Sequence, residues 1–222
     1  KEDEVVWNTI TRHKLDDINT PEITINEVFD YYDNELLKSQ THQINGGITE
    51  RISYNNYNEI NQLASKKVGS NIYSDYLQNV DYKYNIRGWL TDINNIDAEE
   101  TGTFKDLFAL RLNYDKKTKS KFRTLHNGNI TEILWKNSLE NKVRSYGYDY
   151  DNLNRLLKAE SIKGENEVLN THNEEVTGYD KNGNILGIIR SGSQDLSSNP
   201  VWIDNLVYDY QTNSNKLLSV TD

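Results

Sequence analysis

The phrase YGYDYDNLNRLLKAE, residues 146–160, sets Tyr146, Tyr148 and Tyr150 on alternate positions and then breaks at Asp151 and Asn152. Period-two alternation puts the three rings on one face of a strand, and Asp and Asn side chains bond their own backbone in turns. The phrase constrains the fold because it recurs. Tyrosine, a turn and an aliphatic residue return as YDNELL (32–37), YNEINQL (57–63), YNIRGWL (84–90), YDKNGNIL (179–186) and YDYQTNSNKLL (208–218). A weaker copy, LNYDKKTK (112–119), continues into KFRTLHNGNITEILW (121–135). The anchors Tyr32, Tyr57, Tyr84, Tyr114, Tyr150, Tyr179 and Tyr210 lie 25, 27, 30, 36, 29 and 31 residues apart. Self-similarity at such spacing is the mark of a repeat architecture with connections of variable length.

Each repeat has room for a hairpin and a connecting strand. Gly88, Asn154 and Gly183 are placed to shape the turns, and the Asn127-Gly128 and Asn182-Gly183 pairs supply positive φ. The aliphatic runs GNILGIIR, NRLLKAES and NKLLSVTD that follow are short and rich in strand formers. The fold class is therefore all-β, with tandem hairpins in an antiparallel sheet. Only 35% of the 222 residues are apolar and the mean hydropathy is -0.83, yet 15 Tyr, 4 Trp and 4 Phe argue against a disordered polar chain. A thin sheet reconciles the two, because a hairpin that cannot bury its aromatic face alone can do so beside its neighbours. The expected organisation is an N-terminal polar segment over 1–27 and an incomplete repeat array over 28–222. A hairpin through Gly46-Gly47, a short helical insertion near 97–108 and a polar loop at 191–200 interrupt the array. The strand-like ending SVTD without a cap, and the absence of an initiating Met, lead us to expect part of a longer polypeptide.

Other chemistry is sparse. The 25 basic and 34 acidic residues leave a net charge of -9, which gives no general attraction to nucleic acid. The basic run Lys116, Lys117, Lys119, Lys121 and Arg123 reads as a solvated loop edge. With no Cys there is no disulfide, thiolate nucleophile or thiolate metal site. No apolar run approaches the roughly 18 residues of a spanning helix, so direct membrane insertion is not expected. His13, His42, His126 and His172 show no metal-ligand spacing. Asp180, Asn182 and Asn184 imitate part of a calcium loop but lack its closing acid. Glu99 and Glu100 are adjacent, unlike carboxylates that face each other across a sugar. We expect no catalytic residue, no metal and no cofactor. Trp89, Trp135 and Trp202 serve packing or binding, with packing expected to lower stability when Trp89 or Trp135 is removed.

The recurring phrase, above all YDYDNLNRLLKA, YDKNGNIL and YKYNIRGWLTDIN (82–94), resembles the tyrosine-aspartate repeats of the RHS family, a group that includes teneurins and the cocoon subunits of insecticidal toxin complexes. The resemblance covers about residues 28–222, and its wording is similar to versions in large secreted proteins of Bacteroidetes. It implies a curved, spiralling sheet, here an arc of a larger hollow shell, in which the tyrosines pack between repeats. It also implies export to the cell surface or beyond. The implied partners are the remaining repeats of the same polypeptide or assembly, an enclosed C-terminal toxin or effector, and secretion machinery or a cell-envelope partner. Asn61 and Asn154 stand where the family often has Gly, and the bulky Trp89 follows Gly88. No DPxG-like phrase is present, so self-cleavage and a toxin domain are not expected within these residues. The sequence thus reads as a noncatalytic shell fragment. The alternative is an extracellular adhesion or glycan-binding module that displays its aromatic residues, and a glycoside hydrolase with dispersed carboxylates is a weaker third reading.

Overall fold

The computed structural model describes residues 5–14, 21–71, 75–98, 106–140, 142–163, 167–168, 171–193 and 199–222. All regular structure among them is β, in strands that pair antiparallel and follow chain order. Two compact units divide the chain, Lys1–Ala109 and Leu110–Asp222. The first holds β1 (Asn8–His13), β2 (Ile23–Tyr31), β3 (Leu37–Ile44), β4 (Glu50–Tyr57), β5 (Leu63–Asn71), β6 (Gln78–Tyr84) and β7 (Leu90–Ile93). A further strand, β8 (Phe108–Asn113), spans the boundary. The second unit holds β9 (Glu132–Asn137), β10 (Arg144–Tyr150), β11 (Leu156–Lys163), β12 (Glu167–Val168), β13 (Glu174–Tyr179), β14 (Ile185–Gly192), β15 (Val201–Tyr210) and β16 (Leu217–Thr221).

The repeat phrases fold as the hairpins β2–β3, β4–β5, β6–β7, β10–β11, β13–β14 and β15–β16. In every one the register slips by a residue at a tyrosine, so that Tyr31, Tyr57, Tyr84, Tyr150, Tyr179 and Tyr210 face Leu37, Leu63, Leu90, Leu156, Ile185 and Leu217. Hairpin pairing also begins earlier than residue 28: β1 pairs with β2 from Asn8↔Val28 to His13↔Ile23. The helical insertion expected near 97–108 falls largely on 99–105, outside the described residues; Asp97 and Ala98 lie in a turn and bend and Phe108 opens β8. Residues 194–198 of the polar loop are likewise outside them.

Little of the interior is apolar. Ile96 and Ala109 in the first unit and Leu134, Ala159 and Ile162 in the second are buried, beside a larger set of buried polar residues that includes Asn55, Asn94, Glu132, Ser145 and Thr171. Buried polar groups must be hydrogen-bonded to be tolerated. Asn94 illustrates the solution: its side chain accepts from the Asp81 N–H and donates to the Phe108 carbonyl, both at 2.8 Å.

Candidate functional site

The repeated feature is a seam that begins in the turns. In five hairpins the first loop residue donates its N–H to the carbonyl four residues on and accepts from the N–H three residues on. These pairs start at Tyr32, Asn58, Asn85, Asp151 and Asp180. The fourth position has positive φ in each: Glu35 (65°), Asn61 (63°), Gly88 (78°), Asn154 (64°) and Gly183 (88°). A three-residue loop closed by one left-handed residue produces a bulge, which is the register slip at every tyrosine. The sixth turn is longer by one residue, with Gln211 N–H on the Lys216 carbonyl and positive φ at Asn213.

The acidic or amide residue after the tyrosine holds this geometry. Oδ1 of Asn58, Asn85, Asp151 and Asp180 each accepts two N–H groups, from the residues two and four positions on, at 2.8–3.1 Å. Donation from the Arg155 backbone holds the Asp151 carboxyl below its ordinary range, and the Asn184 side-chain amide does the same for Asp180. The resemblance of Asp180, Asn182 and Asn184 to a calcium loop dissolves here, since both Asp180 oxygens are engaged within their own turn.

Each tyrosine then reaches back across one repeat. The hydroxyls of Tyr57, Tyr84, Tyr150, Tyr179 and Tyr210 donate to the carbonyls of Leu37, Leu63, Ile130, Leu156 and Ile185 at 3.0, 3.0, 2.8, 2.5 and 2.9 Å. Leu37, Leu63, Leu156 and Ile185 are the residues that face the preceding tyrosine in register. One tyrosine thus fastens its own hairpin to the start of the previous return strand. Burial raises the phenol pKa of Tyr84, Tyr150 and Tyr179. Asparagines tie neighbouring turn tips as well, through Asn34–Asn61, Asn127–Asn154 and Asn182–Asn215.

Two sequence assignments shift by this geometry. In YYDN the seam position belongs to Tyr31, which faces Leu37 and donates to the Val6 carbonyl at 2.9 Å. Tyr32 instead takes the first loop position, where its neighbours in other repeats are Asp or Asn. Its hydroxyl points forward to the Asn55 carbonyl and its ring meets Tyr57 edge-on at 6.1 Å. Adjacent tyrosines made the register ambiguous by one residue. Tyr114 is displaced too. No tight turn follows it; residues 114–131 form a long connection whose Asn127-Gly128-Asn129-Ile130 end sits beside the Asn154 turn and supplies the Ile130 carbonyl to Tyr150. Tyr114 joins through its backbone carbonyl, which accepts from Leu125 N–H and the Thr131 hydroxyl.

That connection is fastened by a residue the sequence did not reveal. Glu132 is fully buried, and its carboxylate accepts from Asn113 Nδ2 and from three consecutive backbone N–H groups, those of Thr118, Lys119 and Ser120, all at 2.7 Å. Ser120 lies so close to β10 that a Cβ on Gly147 would come within 2.4 Å of its Oγ. The basic run is mostly exposed, as expected of a loop edge, and it also ties the connection down: Lys117 donates to the Lys121 and Phe122 carbonyls, Lys121 pairs with the buried Glu160 at 2.8 Å, and Arg123 reaches the Tyr150 carbonyl. Glu132, Leu134 and Lys136 share the buried face of β9, so polar residues occupy the phase that hydrophobic alternation would assign to solvent.

The remaining candidates are dispersed. Trp135 stacks on Tyr146 at 5.7 Å and Tyr146 on Tyr148 at 6.4 Å, and burial pushes the Tyr148 phenol up to about 12. Trp89 is half-buried beneath the Arg87 guanidinium, 5.0 Å from its ring, whereas Trp202 is 71% exposed. His42 bonds Glu50 at 2.8 Å, and no three metal-ligating side chains converge among the described residues. Glu99 and Glu100 lie outside the described residues.

No protein-family model matches the chain, and no curated protein matches it. Among solved structures, it is similar to a chain in the Photorhabdus luminescens Tc holotoxin pore carrying a TccC3 mutation, with 12% identity and a TM-score of 0.39 over 85% of this chain and 12% of that one. It is also similar to a chain in a TcdB2-TccC3 crystal structure, with 14% identity and a TM-score of 0.36 over 87% of this chain and 13% of that one. The chain therefore spans about an eighth of those chains.

Proposed function

We propose that this chain is a noncatalytic wall segment of an exported RHS-type shell, in which hairpins are fastened in series around an enclosed toxin or other effector. The observation that carries the reading is the tyrosine seam: from one repeat to the next, the same hydroxyl closes on the carbonyl that begins the previous return strand. Such a device serves to extend a sheet and contributes no nucleophile, acid-base pair or metal. The turn chemistry supports it, since Asp, Asn and Gly are spent on holding the bulge. Further repeats of the same polypeptide or assembly are the partners this reading names. The proposed setting is outside the cell or on its surface.

Electron microscopy of the whole gene product tests the proposal. A hollow particle with internal density is the expected result. An open, empty sheet or rod would defeat encapsulation. It would favour an adhesion or glycan-binding role, for which the exposed Trp202 is the residue to replace first in binding assays on cell-envelope glycans.

A further inference from the structure

We infer that a bulge in β4 builds an oxyanion subsite from Arg51, Lys67 and Tyr76, a binding site independent of the seam. Between β3 and β4 the register slips, Thr41 facing Arg51 while Gln40 faces Ser53, so an extra residue lies between Arg51 and Ser53. On an undisturbed strand Arg51 and Tyr54 would point to opposite faces; the bulge brings them to the same one. Lys67 joins them as the register partner of Tyr54. Gly69, with φ of +66°, lies in the neighbouring part of β5, where Leu77 approaches within 2.9 Å of a Cβ position. Tyr76 is the centre of the group: the Arg51 guanidinium lies 5.9 Å and the Lys67 ammonium 5.5 Å from its ring centroid, with the Tyr54 ring 6.5 Å away.

Two features point to an anion. Neither cation has a carboxylate partner among the described residues, although the chain carries a net charge of -9. The neighbouring acids are engaged elsewhere, Glu50 by His42 and Asp81 by Asn79, each at 2.8 Å, while Asp75 pairs with neither cation. Second, donor capacity is left over. Tyr76 oxygen accepts from Arg51 Nη1 at 3.4 Å, which leaves its own proton to give, and the Ser70 hydroxyl, in register with Arg51, is buried without a partner. Planar guanidinium donors, a mobile ammonium and a phenolic proton are the groups that bind a phosphate or sulfate oxyanion.

The test is titration of the folded chain with inorganic phosphate and with inorganic sulfate against chloride at matched ionic strength. Nuclear magnetic resonance would follow the Arg51 guanidinium and Tyr76 ring signals. We expect a saturable shift with one or both oxyanions and none with chloride; a response to phosphate alone would assign a phosphoryl group, and to both a general oxyanion site. Arg51→Gln and Lys67→Gln should each weaken binding about tenfold or more, whereas Lys66→Gln, on the opposite face, should leave it unchanged. Arg51→Lys, which keeps the charge without the fork, provides a second variant should Arg51→Gln fail to fold, and is expected to bind weakly. An equal response to chloride, unaltered binding by Arg51→Lys and Lys67→Gln, or equal loss in Lys66→Gln would overturn the subsite.

Discussion

Removing the hydroxyl of a seam tyrosine leaves the ring in place and strips one donor from a half-buried carbonyl. Tyr57→Phe and Tyr179→Phe should therefore each destabilise the fold by about 1 kcal/mol, while Tyr208→Phe, which lacks this bond, should be near neutral in urea unfolding. Equal effects in all three would remove the hydrogen bond from the explanation. The turn residues add a pH dependence with a definite sign. A carboxyl whose pKa is lower folded than unfolded stabilises above its unfolded value, near about 4, and that stability is lost as pH falls through the folded value. Asp151 and Asp180 are both depressed by hydrogen-bond donors, so acid should weaken the β10–β11 and β13–β14 hairpins. Asp180→Asn keeps the Oδ1 acceptor, as Asn58 and Asn85 already do in their own turns, and should shrink the acid-side drop in thermal unfolding. Tyr148 has the opposite sign: raised by burial to about 12, it stabilises fully below about 10 and loses that contribution as pH rises toward 12. Tyr148→Phe should delete the latest phenolate component of an ultraviolet alkaline titration.

Hairpins were legible because their signals are local. A tyrosine in strand phase, an acceptor next to it, a residue tolerant of positive φ three positions later and an aliphatic residue beyond all lie within seven residues, as in Tyr150, Asp151, Asn154 and Leu156. What escaped is set by contacts between elements. Choosing Tyr31 over Tyr32 depends on pairing with Leu37, and the β4 bulge depends on β3; neither is written in its own segment. The long connection 114–131 was hidden for the same reason, since Glu132 becomes an acceptor for Thr118, Lys119 and Ser120 only once the chain folds over β10. Glu132→Gln is nearly isosteric but turns an NH2 toward N–H donors. It should destabilise by about 3 kcal/mol and expose 114–131 to proteolysis. Gly147→Ala should act on the same connection from below, costing about 1–3 kcal/mol through its clash with Ser120. A native protease pattern in both variants would show that neither contact fastens the connection.

Among the described residues, few apolar side chains are buried and many are not, and the final hairpin carries a dense group of the exposed ones. Val201, Trp202, Ile203, Val207, Leu217, Leu218 and Val220 are all exposed, from 44% for Val220 to 71% for Trp202. Among the described residues β16 has β15 as its strand neighbour and nothing on its other side, so its outer backbone groups are open as well. An apolar strand with an unpaired edge is a template for another strand. Burying each such side chain against a second copy is worth about 1.5–3 kcal/mol, so several together are needed to offset the roughly 4–15 kcal/mol that association costs in lost translational and rotational freedom. The chain studied alone should consequently self-associate with rising concentration in sedimentation velocity. The double change Leu218→Lys and Val220→Lys places two charges on one face of β16 and should weaken that association at least about tenfold, or 1.4 kcal/mol. Ile60→Lys, at an exposed apolar position in the β4–β5 turn and on neither edge strand, controls for charge alone and should have a smaller effect. A monomer at every concentration would mean that the apolar surface of β15 and β16 is tolerated in water, and the equal response of all variants would assign association to net charge instead of the open edge.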